Sequence, residues 1–133
     1  MTPAELYDTK RRNFIEKTFK YFSFLIEEYG YDQPSHIEWK QENGTIIQDK
    51  IEYQNLTLKR TISLTNSYHP NDYGFEINFY DPTIPTKYPD KEMVHYVFKE
   101  KQDIDQNYLE SEAHFLRKNF EKQINGETWF RKK

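Results

Sequence analysis

The chain has 133 residues, no cysteine and a formal net charge of −3, with acidic and basic residues interleaved. That length fits one domain around one core. The composition excludes disulfide staples, thiol chemistry and a nucleic-acid surface built on bulk positive charge. Hydrophobic residues make up only 35%, but eleven Tyr, ten Phe and two Trp stand against two Val and two Ala.

Thr2-Pro3-Ala4-Glu5 reads as a capping box with proline in the first turn, and Thr9 is a second candidate cap. From there Ile15, Phe19, Phe22, Ile26 and Tyr29 recur at helical spacing, and Phe14, Thr18, Tyr21 and Leu25 widen the stripe. The spacing predicts one helix ending near Tyr29, because Gly30 can take the left-handed cap position. Phe24 lies off this stripe, beside Lys17 and Glu28 on the predicted outer face.

The period then changes to two. Ile37 and Trp39 alternate with His36, Glu38 and Lys40, and Asn43-Gly44 predicts a type I′ hairpin turn. Ile47, Ile51 and Tyr53 continue on the returning strand, and Leu56, Leu58, Ile62 and Leu64 alternate with polar residues in the next. In that register Arg60 points inward, which calls for a bulge, a strand end or a carboxylate partner. A turn cluster from Tyr68 to Gly74 precedes a strand carrying Phe75, Ile77 and Phe79. After a proline-containing connection, Met93 to Phe98 reads as a last strand covered on both sides. Asp103-Ile104-Asp105-Gln106 then caps a helix with the stripe Leu109, Ala113, Leu116, Phe120 and Ile124, ending at Gly126, and Trp129 and Phe130 fold back. The fold class that follows is a single α+β domain over 1–133: an N-terminal helix, a four- to five-stranded antiparallel meander and a C-terminal helix packed on the sheet.

Catalytic signatures are missing from the sequence. No nucleophile elbow, P-loop or dinucleotide fingerprint occurs, and no two of His36, His69, His95 and His114 have ligand-pair spacing. Ser63 or Ser67 with His69 and Asp72 reads as a plain turn, and Glu110 with His114 as an exposed helical ion pair. The expectation is no catalytic residue, no metal and no cofactor. With no apolar leader and no long apolar run, a cytoplasmic protein without membrane or nucleic-acid partners is expected.

Recognition suits the surplus tyrosines better, since Tyr offers contact area at low entropic cost. Phe24 with Glu28, and the turn residues Tyr68, His69, Asp72 and Tyr73, form the candidate partner-binding set. The stretch Phe22-Ser23-Phe24-Leu25-Ile26-Glu27-Glu28-Tyr29-Gly30-Tyr31, followed by a hairpin and Ile51-Glu52-Tyr53-Gln54-Asn55, resembles small uncharacterised bacterial α+β proteins of immunity type. That resemblance covers about a third of the chain, rests on hydrophobic pattern and carries over no functional residue. It implies a non-enzymatic module that occludes a protein partner, with a toxin as one such partner. The alternative is a small ligand-binding domain or enzyme with an aromatic pocket and an inward Arg60 for an anionic ligand, and a homodimerising module is a third reading.

Overall fold

The computed structural model describes residues 2–69, 74–84 and 91–130. Helix α1 spans Pro3–Tyr21 and starts at the predicted box: the Thr2 hydroxyl accepts the Glu5 amide at 3.1 Å and the Glu5 carboxylate accepts the Thr2 amide at 3.2 Å. Two otherwise orphaned donors are thereby satisfied. The helix does not run to Tyr29. The Ser23 hydroxyl donates to the Lys20 carbonyl at 3.0 Å, a local bond that competes with the helical ladder. The chain resumes as the short helix α2, Phe24–Glu27, after a tightened bond from the Leu25 amide to Phe22. Gly30 follows at φ +72°, as its predicted role requires.

Five strands make one antiparallel sheet in the order β1-β2-β3-β4-β5: Ser35–Lys40, Ile46–Asn55, Arg60–Ser67, Gly74–Tyr80 and Glu92–Phe98. The meander is the topology that short connections predict. The first turn differs from type I′: only Gly44 takes a positive φ, its amide donates to Gln41 at 2.9 Å, and the register shifts after Trp39. Residues 56–59 form a turn and not a strand. The Asn55 side-chain oxygen accepts the Leu58 amide at 3.1 Å and Lys59 takes φ 58°, which ends β2 and restarts the chain at Arg60. Strand β5, which its apolar run predicts to be covered on both sides, is an edge strand with Met93, Tyr96 and Phe98 exposed.

The last helix begins later than the aspartate box suggests. The Asp103 carboxylate accepts the Asn107 amide at 3.0 Å and buried Gln106 takes φ 59°, so a further turn precedes α3, Tyr108–Asn119. The chain breaks at Phe120 and closes with α4, Glu121–Ile124, before Gly126 at φ +83°. Phe130 folds back as expected, its ring 5.3 Å from Phe79.

One face of the sheet carries the core. Ile51, Tyr53, Ile62, Leu64, Phe75, Ile77 and Phe79 meet Phe14, Phe22, Leu25, Leu109 and Leu116 of the helical layer. Phe19, expected in the core, is 40% exposed, and Tyr29 and Phe120 are half-buried. The buried side of α1 runs through Phe14 and Thr18, one position away from the Ile15–Phe19 line. Among the described residues no helix is long and apolar enough to cross a membrane.

Candidate functional site

Because side chains alternate across a strand, the residues between the core positions form the sheet's second face. The described helices all pack on the first. Register places Ile37, Lys50, Thr65, Glu76 and Tyr96 in one row across all five strands, and Ser35, Glu52, Ser63, Asn78 and Met93 in the next. Four inter-strand spacings make such a row roughly 19 Å wide. Trp39 and Phe98 belong to the same face at its opposite edges.

The centre and rims differ in chemistry. Along β3 the second face carries Thr61, Ser63, Thr65 and Ser67, all buried although no described helix lies over them. Their short side chains are shielded by taller neighbours: the Tyr80 hydroxyl reaches from β4 to the Glu52 carboxylate on β2, donating at 2.6 Å, and Lys50 lies 3.9 Å from Glu52. Burial raises the Tyr80 hydroxyl's pKa, and the bond to Glu52 adds to that, so it remains a donor. The rims are apolar. Of the nine large hydrophobic residues exposed among the described residues, Ile37, Trp39, Met93, Tyr96 and Phe98 stand on this face. Trp39 is the most open of them at 60%. The sequence shows Ile37 and Trp39 alternating with polar residues but not which side of the sheet the helices cover, so alternation alone does not mark these side chains as surface.

Behind this face, toward α1, lies a polar knot centred on Asp49 of β2, whose side chain is 0% exposed. Arg11 grips the carboxylate with two bonds of 2.9 Å, His36 contacts it at 2.9 Å and the Tyr68 hydroxyl donates to it at 2.8 Å. Burial pushes the Asp49 carboxyl up, yet the bonds from Arg11, His36 and Tyr68 outweigh it and hold the group below the usual aspartate value. Arg11 also reaches Glu38 of β1 at 3.2 Å, and its guanidinium lies 5.9 Å from the Tyr7 ring. The Tyr7 ring meets Tyr68 edge-on at 5.6 Å. With the carboxylate held by several donors, the knot ties α1, β1, β2 and the end of β3 together.

The residues expected to bind a partner separate on this framework. Phe24 is not on an outer face: the break at Ser23 turns it inward to 7% exposure, with Phe22 and Tyr29 rings each at 6.2 Å and the Arg117 guanidinium at 5.5 Å. Glu28 is exposed and pairs with Arg117. Tyr68 is turned into the Asp49 knot, and the His69 carbonyl accepts from Lys99. Asp72 and Tyr73 lie outside the described residues. Of the described members of the set, Phe24 is buried beside Arg117 and Tyr68 in the Asp49 knot, while Glu28 is exposed.

Arg60 does point inward, at the start of β3, and its described hydrogen-bond partners are backbone carbonyls, not the carboxylate that the sequence calls for. It donates to Gln123 at 2.8 Å, Thr128 at 2.7 Å, Lys59 at 3.1 Å and Leu58 at 3.3 Å, and lies 4.7 Å from the Trp129 ring. Four of its five N–H groups are thus committed, two to the C-terminal segment at Gln123 and Thr128 and two to the preceding turn at Leu58 and Lys59.

Elsewhere, His95 contacts buried Glu112 at 2.5 Å, with the Phe115 ring 4.5 Å from the imidazole. Burial raises the Glu112 pKa against the opposing bond from His95. No ion pair joins Glu110 to His114; both line a cleft with Phe24 and Arg117. Among the described residues no group of three His, Cys, Asp or Glu is arranged to hold a metal ion. No protein-family model, no curated protein and no solved structure matches the chain.

Proposed function

We propose that this protein is a non-enzymatic binding module of immunity type that occludes a protein partner with the open face of its sheet. The observation that carries the reading is the concentration of Ile37, Trp39, Met93, Tyr96 and Phe98 on that face. Single exposed hydrophobics are ordinary, but five gathered on one sheet face, along the two edges of a polar centre, exceed that background and suit a partner that covers both edges. Glu52 and Glu76 outnumber Lys50 at the centre, so a partner that is basic there and apolar at its flanks is complementary. A toxin is the kind of partner the immunity reading calls for.

Trp39→Ala and Met93→Ala test this, since neither side chain supports the core. Each is expected to leave the urea unfolding midpoint essentially unchanged while weakening a complex captured from native lysate by about 2 kcal/mol or more for Trp39. Capture unaffected by both substitutions would sink the proposal.

A further inference from the structure

On the helical side of the sheet, away from the docking face, a cleft of about 240 Å³ is lined by Phe19, Ile26, Gln33, Pro34 and Tyr53. We propose that this cleft binds a small neutral molecule, one apolar ring bearing a hydrogen-bond acceptor, with the Tyr53 hydroxyl as its donor.

Four observations converge on that chemistry. Among the described residues, only Thr18 Oγ1 and the Tyr53 hydroxyl are buried side-chain oxygens without a hydrogen-bond partner. Buried polar groups are nearly always paired, so an orphan on a residue that lines a cleft marks an unfilled interaction. Burial alone raises the Tyr53 pKa, which keeps the phenol protonated and able to donate. No charged side chain lines the cleft, and an anion entering it would lose hydration without compensation. The volume lies below the roughly 300–1,000 Å³ of drug-sized sites, which restricts the guest to about a single ring. The hydroxyl is screened from water, so a guest reaches it by displacing side chains of the cleft wall, of which Phe19 is exposed and free to change rotamer quickly.

Acetophenone and toluene separate the acceptor from the ring and are titrated into isotope-labelled protein. Both are expected to shift the amides of Phe19, Ile26 and Tyr53 in a saturable way, acetophenone at lower concentration. Tyr53→Phe, which keeps the ring and removes the orphan, is expected to weaken acetophenone about fivefold and to leave toluene within about twofold. Gln33→Trp, at an exposed rim position, is expected to close the cleft to both. Absence of saturable shifts at these residues, shifts centred elsewhere, or unchanged acetophenone affinity in Tyr53→Phe overturns the assignment. These readouts do not involve the open sheet face, so the two proposals stand or fall separately.

Discussion

Replacing Asp49 by Ala is expected to cost about 3 kcal/mol of unfolding free energy, because it removes the two-bond partner of the partly buried Arg11, which keeps only Glu38, and the acceptor of Tyr68 and His36. Urea denaturation followed by circular dichroism measures the loss, and a change below about 0.5 kcal/mol would show that the knot is ornamental. The same carboxylate makes stability depend on pH with a definite sign. Its folded pKa is lowered, so its contribution is fully present above the unfolded aspartate value of about 3.9 and is lost as pH falls through the lower folded value. Between pH 5 and pH 3, on the order of the window this sets, wild type should therefore lose more stability than Asp49→Ala.

Phe24→Ala carries an effect of similar size. Truncating a phenylalanine that is 7% exposed removes its contacts with Phe22, Tyr29 and Arg117 and leaves a cavity between α2 and α3, at a cost of about 3–5 kcal/mol. Phe24→Leu should recover more than half of it. A variant as stable as wild type would return Phe24 to the surface where helical spacing puts it.

The difference between those two placements shows what the sequence made legible. Element types and order follow from local signals: the Thr2–Glu5 box, alternation in β2 to β4, and glycines at Gly30 and Gly126. Helical projection fails at Phe24 because one serine hydroxyl, bonded to the Lys20 carbonyl, changes the angle of everything after it. Asn55 and Asp103 act in the same way, shortening a strand and delaying a helix through side-chain bonds to nearby amides. Such bonds are local in the chain, but their competition with regular structure is decided by tertiary packing.

The open face was hidden for a different reason. Alternation identifies two sides of a strand without saying which side meets the helices, and β3 is buried on both. Arg60 illustrates the limit for single residues: its inward direction was readable, whereas its carbonyl partners from residues 123 and 128 required the C-terminal turn to be placed first.

No residue of β1 is buried, and beyond its ladder with β2 the described bonds holding it are His36 to Asp49 and Glu38 to Arg11. Such a strand opens locally at a free energy well below that of global unfolding, so its backbone amides should exchange with solvent sooner than those of β3. Each opening carries Ile37 and Trp39 away from the rest of the face. A partner seated across all five strands would have to hold this strand in place, and the order it imposes would be readable as slowed exchange in β1.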